Sequence, residues 1–142
     1  MYKKILVCLD LAGEPDQVLA KAQPIIEHCS ADYLIVYCIE KPVTGLGELE
    51  SGRSLNSWVQ LKQEVMPHLT DIVAESGLDP THATIEIGHI GDTLLDLAEE
   101  GEFDLILVGS HGRHGWRLLL GSTANAILHH AKMDVLAVRI QD

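Results

Sequence analysis

Asp104-Leu105-Ile106-Leu107-Val108-Gly109-Ser110-His111-Gly112 says more about the architecture of this chain than any other segment. Four consecutive apolar residues, Leu105–Val108, end abruptly in a small, flexible tetrapeptide. A run this short and this continuous predicts a strand buried on both faces, the pattern of a parallel sheet rather than of a half-exposed antiparallel one. The glycines that follow let the backbone turn sharply at the strand's carboxyl end and approach a ligand without a Cβ in the way.

On either side of this segment, four further apolar runs appear: Ile5–Leu9, Tyr33–Ile39, Ala83–Ile87 and Val135–Ile140. Helical spacing fills the gaps between them. One stripe is Val18, Leu19, Ala22, Ile25, Ile26 and Cys29, with Pro15 suited to its first turn and Pro24 expected to kink or split it. A second runs from Trp58 through Leu69 to Val73, with Pro67 as an expected break and Ser76-Gly77 as its stop. A third holds Leu94, Leu95, Leu97 and Ala98, with Asp92 as its expected cap and Gly101 near its end. The fourth holds Ala124, Ile127, Leu128 and Ala131, with Ser122 as its expected cap. The order β-α-β-α-β-α-β-α-β predicts a doubly wound α/β fold in one domain spanning residues 1–142. Right-handed crossovers leave few topologies, and of these a five-stranded parallel sheet in the order 3-2-1-4-5 is expected. Residues 40–53, with Pro42, Gly45, Gly47 and Gly52, read as one long loop beside the strand ends.

The 142 residues carry a formal net charge of −11, which disfavours nucleic acid and anionic membrane as partners. No stretch approaches the roughly 20 apolar residues of a transmembrane helix, and the N-terminal run is too short for a signal peptide. Cys8, Cys29 and Cys38 have no metal-ligand or redox spacing, so free thiols in a reducing, cytoplasmic setting are expected. The eight histidines include His129-His130 at a helix end, where a cation favours the dipole; adjacent histidines on a helix diverge, and no metal site is expected.

In open α/β sheets ligands bind at the carboxyl ends of the strands, where the strand order reverses. Asp10 closes the first strand, Gly109–Gly112 follow the fourth, and Gly121-Ser122-Thr123 open the last helix. Exposed N–H groups and hydroxyls there suit a phosphate, and a carboxylate can accept hydrogen bonds from a ribose. The plainer reading of each is a turn, a helix cap or a strand end. It is their convergence on two neighbouring strand ends that favours a ligand site. A triad built from Ser110, His111 and an aspartate lacks the nucleophile-elbow pattern, and no phosphate-loop lysine or positioned base is present. A binding module is favoured over an enzyme.

Several segments together resemble the universal stress protein family: Met1–Val7 followed by Asp10, Asp104–Gly112, Leu118–Ala124 and Asp134–Val138. The segment Gly88-His89-Ile90-Gly91-Asp92-Thr93-Leu94 is similar to the A-type branch. The resemblance implies a Rossmann-like, adenine nucleotide alpha hydrolase-like fold and a stress-response regulatory module. It implies a homodimer through the last strand, residues 135–140, with an unidentified regulatory protein as a further partner. It also implies binding of ATP or AMP as a ligand rather than a cofactor, with magnesium at most accompanying ATP. Carried over residue by residue, Asp10 meets the ribose, Cys38 lies against the adenine through its backbone, and Val108 lines the base pocket. Gly109, His111, Gly112, Gly121, Ser122 and Thr123 form the phosphate loop. The interval Arg113–Leu120 is eight residues, one fewer than in members that bind ATP, and Asp10-Leu11-Ala12 stands where those members have Asp-x-Ser. Some A-type members bind no nucleotide and act through protein contacts alone; a slow ATPase or autophosphorylating protein is the remaining alternative.

Overall fold

The computed structural model describes residues 1–41, 55–110 and 122–141. In chain order the elements are β1 (Lys4–Leu9), α1 (Pro15–Cys29), β2 (Asp32–Glu40), α2 (Leu55–Glu75), a 3-10 turn at Pro80–His82, β3 (Ala83–Gly88), α3 (Ile90–Glu100), β4 (Leu105–Gly109), α4 (Ser122–His130) and β5 (Asp134–Val138). The five strands form one sheet in the order β3-β2-β1-β4-β5. Every pairing is parallel, with Ile5 opposite both Tyr33 and Leu105, Tyr37 opposite Ile85, and Leu107 opposite Leu136. The doubly wound fold and strand order expected from the sequence are both present.

The continuous apolar runs follow from burial on two faces. Side chains alternate across a strand, so Ile5, Val7 and Leu9 pack with α1 and α2 residues such as Leu19, Ile26, Leu69 and Val73. Leu6 and Cys8 turn the other way, towards Leu94 and Ala98 of α3 and Ile127 of α4. β4 divides likewise, Leu105 and Leu107 to the first core, Ile106 and Val108 to the second. Burying each of these large side chains contributes about 2 kcal/mol.

Neither internal proline interrupts its helix: α1 runs through Pro24 and α2 through Pro67. Both prolines are exposed, as are Ala20 and Gln63 four residues earlier. The carbonyls that lose an N–H donor therefore lie on the water side, while the buried stripes Val18–Leu19–Ala22–Ile26 and Leu69–Val73 hold the helices against the sheet. The stops behave as the sequence suggests. Gly77 takes φ +87° after α2, and Gly101 caps α3.

Two caps differ from expectation. α3 begins at Ile90, before Asp92, which sits in its first turn. The physical reason is an acceptor from another element: the Ile90 N–H donates to Glu40 Oε2 at the end of β2, 3.0 Å away. Ser122 is the first residue of α4 rather than the cap flanking it. The last strand also stops short of residue 140, at Val138. The Ile140 N–H donates to Ser110 Oγ at 3.2 Å instead of to a neighbouring strand, and Ile140 folds into the first core.

At the opposite end of the sheet, Asp104 ties β1 to β4. Its carboxylate accepts the N–H groups of Lys3 (2.8 Å) and Lys4 (3.0 Å). Partial burial opposes the charge, but the two backbone donors outweigh it and hold the Asp104 carboxyl below its ordinary value. The stabilisation is therefore complete above the unfolded value of roughly 3.9 and disappears as the pH falls through the depressed folded value. Asp104→Asn is expected to lower stability by about 1 kcal/mol at neutral pH. It should also flatten the loss of stability below pH 4, both measured by urea unfolding across pH.

Candidate ligand cleft

The chain leaves β1 towards α1 and β2, and leaves β4 towards α4 and β5, so the two neighbouring carboxyl ends part company. A cleft of about 320 Å³ opens there. Its walls come from the ends of β1, β2 and β4, the starts of α1, α3 and α4, and Ile140.

Of the residues singled out in the sequence, Asp10, Cys38, Val108, Gly109 and Thr123 line this one cleft. Ser122 begins α4 beside Thr123. His111, Gly112 and Gly121, together with most of the long loop after β2, lie outside the described residues.

Asp10 directly follows β1 and is exposed. Its Oδ1 accepts the Ala12 N–H at 3.0 Å and its carbonyl accepts the Gly13 N–H at 3.1 Å, so it builds the turn into α1 rather than capping that helix. Glu14 flanks the helix and makes no side-chain cap. A Cβ on Gly13 would stand 3.3 Å from Asp10 Oδ2, so a larger residue there would crowd the carboxylate. Among the described residues, Oδ2 has no hydrogen-bond donor.

The floor is apolar. Cys8, Cys38, Leu94, Val108 and Ala124, all buried, belong to the second core and reach the cleft from below. The rim is acidic, with Asp10, Glu14 and Glu40. Among the described residues the lining contains no Lys, Arg or His. Among the described residues, the groups here that suit an anion are backbone N–H groups and the Thr123 hydroxyl, on the β4–α4 side and away from the carboxylates.

Sequence reasoning missed Tyr37, Glu40, Ile90 and Ile140 as parts of the cleft. Tyr37 and Glu40 sit at the end of a strand already identified, one on each side of Cys38 and Ile39, and that position was the available signal. Ile140 had none, because its place depends on the bond to Ser110. That bond also gives Ser110 a structural role. The residue is buried, its N–H donates to the Val138 carbonyl at 2.7 Å, and its Oγ receives the Ile140 N–H.

The three cysteines carry free thiols. Burial pushes the Cys8 thiol far up and raises Cys38 to about 11. For Cys38, a hydrogen bond with Thr93 works against the rise, and the charges of Glu40 and Glu86 add to it. Both thiols are protonated at neutral pH and are poor nucleophiles. Among the described residues there is no group of three or more His, Cys, Asp or Glu side chains placed to hold a metal. No helix among them is long and apolar enough to cross a membrane.

The model of the universal stress protein family matches residues 1–139. The chain belongs to that family. Universal stress protein A homolog 2 of Coxiella burnetii is 36% identical over 99% of this chain and 97% of its own length. Universal stress protein A homolog 1 of the same organism is 34% identical over 99% of both chains. Among solved structures, hypothetical protein MJ0577 superposes with a TM-score of 0.76 at 22% identity, covering 100% of this chain and 99% of its own. A universal stress protein in complex with cAMP gives 0.63 at 22% identity, over 96% of both chains. The universal stress protein from Archaeoglobus fulgidus in complex with dAMP gives 0.61 at 17% identity, over 96% and 98%. At these identities the structural likeness establishes the fold.

The buried thiols lead to a chemical expectation. With a folded value near 11, Cys38 exposes only about one thiolate in several thousand at pH 7.5. Iodoacetamide on the native protein should modify Cys29 first, and Cys8 and Cys38 only after denaturation or at strongly alkaline pH, as read by peptide mass spectrometry. Rapid native labelling of Cys38 at pH 7.5 would contradict its burial.

Proposed function

We propose that this universal stress protein is a regulatory binding module that takes an adenine nucleotide, ATP or AMP, in the cleft at the ends of β1, β2 and β4. The observation that carries the reading is the order of chemistry across that cleft. An apolar floor at Cys38 and Val108 would accept a flat base, the Asp10 carboxylate follows the middle strand, and Gly109, Thr123 and the start of α4 lie on the far side. Strands are about 4.8 Å apart, so β2 to β4 spans roughly 10 Å, comparable to a nucleoside monophosphate laid across three strands. Base, ribose and phosphate then fall on β2, β1 and β4 in turn. The resemblance to proteins solved with cAMP and dAMP supports the same chemical class. Occupancy would change the surface offered to a regulatory partner in the cytoplasm. Burial keeps the two thiols in the described lining protonated, so neither offers a ready nucleophile, and the reading is of binding rather than turnover.

The same reading includes a homodimer through β5. This strand is the sheet's edge and no helix follows it among the described residues. Its Leu136 is 36% exposed, and Leu128 of α4 is 41% exposed. An open, partly apolar edge of this kind pairs readily with a second copy.

Titration calorimetry with ATP and AMP should give saturable binding. Asp10→Ala should weaken it about tenfold, because a hydrogen bond to a charged group contributes roughly 1.5–3 kcal/mol and each 1.4 kcal/mol is a factor of ten. No heat at millimolar nucleotide would leave a nucleotide-free module acting through protein contacts. Sedimentation velocity at micromolar concentration should show a dimer, converted towards monomer by Leu136→Asp; a wild-type monomer would remove the β5 interface.

A further inference from the structure

Glu40 has a carboxylate shared between the fold and the open space of the cleft. One oxygen, Oε2, receives the Ile90 N–H at 3.0 Å and so caps α3 from the end of β2. The other, Oε1, has no hydrogen-bond partner among the described residues. Cys38 and Glu40 are two apart on β2, so their side chains leave the same face of the sheet. That is the face occupied by Cys8, Val108, Leu94 and Ala124, the apolar floor on which a base would lie. The neighbouring backbone is already committed: the Lys41 N–H donates to the Gly88 carbonyl at 2.9 Å. A base on this floor therefore has an anionic acceptor at its β2 edge, anchored by a helix start.

Building on the adenine-nucleotide reading above, we propose that Glu40 is a specificity-determining residue: its second carboxylate oxygen accepts a hydrogen bond from the exocyclic 6-amino group of the bound purine. A carboxylate accepts and cannot donate, so it rewards an amino group at that position and gives nothing to a purine without one. Anchoring through Oε2 limits the freedom the side chain must give up on binding. Because Glu40 is exposed, the expected discrimination is about tenfold rather than the larger factors of fully enclosed sites.

Glu40→Gln isolates this role. Glutamine has a single acceptor oxygen. If that oxygen keeps the Ile90 N–H, the amide NH2 faces the purine amino group, donor against donor. AMP and purine riboside 5′-monophosphate, which lacks the 6-amino group, are titrated against wild type and the variant. Wild type should prefer AMP about tenfold; in Glu40→Gln the preference should fall to about one, through weaker AMP binding with the purine riboside nucleotide little changed. Taking the ratio within each protein cancels any general loss of affinity from a disturbed α3. The inference is overturned if wild type binds both nucleotides equally, or if the AMP preference survives the substitution. Absence of binding by either nucleotide to wild type would instead overturn the nucleotide reading itself, and with it the role of Glu40.

Discussion

β1 and β4 lie side by side in parallel, Ile5 opposite Leu105 and Cys8 opposite Val108, with a layer of helices on each face. Parallel strands need crossover connections, and a right-handed crossover leaving each of two central neighbours carries the chain to opposite sides. From β1 it goes through α1 to β2; from β4 it goes through α4 to β5. The two crossovers diverge from these carboxyl ends, and among the described residues a cleft opens between them. The cleft is a consequence of this pairing, and Asp10, Gly109 and Thr123 meet there because each stands at, or soon after, the end of one of these two strands.

The same pairing explains why the cleft is apolar below and polar above. Its floor is the top of the second core, where Cys8, Cys38, Val108 and Leu94 must be apolar to seal the sheet against α3 and α4. Only at the strand ends, beyond the last buried positions, can polar groups stand without a desolvation cost. Asp10 and Glu40 occupy those positions, and each engages a backbone N–H, from Ala12 or Ile90, that would otherwise be left over at a turn or a helix start. The groups that shape the rim are thus also groups the fold needs. A mutation there changes local structure and the charge of the rim together.

The opposite end of the sheet is held differently. Asp104 bridges β1 and β4 through the N–H groups of Lys3 and Lys4, Lys4 Nζ donates to the Gly101 carbonyl at 2.6 Å, and Tyr2 donates its hydroxyl proton to Asp134 at 2.8 Å. Lys4 also lies over the Phe103 ring, 4.7 Å from its centre. These contacts close the amino ends of β1, β4 and β5 with side chains. At the carboxyl ends Ser110 and Gln17 hold the chain after β5, but no side-chain bond among the described residues joins the end of β1 to the end of β4, and that asymmetry leaves the sheet tied across this pair at one end and open at the other.

The five strands, their doubly wound order and the strand ends on which a site would form were all legible in the residues alone, because burial on both faces writes continuous apolar runs and each run stops where water begins. Asp10, Gly109 and Thr123 could be placed at one cleft for the same reason, whereas Cys38 and Val108 were implied by the family resemblance. Neither Pro24 nor Pro67 splits its helix, since a proline's effect depends on whether the orphaned carbonyl faces water, a matter of which face of the helix is buried. The start of α3 was misplaced because the acceptor for Ile90 comes from Glu40, fifty positions away in the chain. The last strand was run on to Ile140 because nothing local reveals that Ser110, thirty positions away, takes that residue's N–H. Local pattern reports what each segment would bury. Which distant side chain completes a helix end or stops a strand is decided only when the sheet has brought the two together.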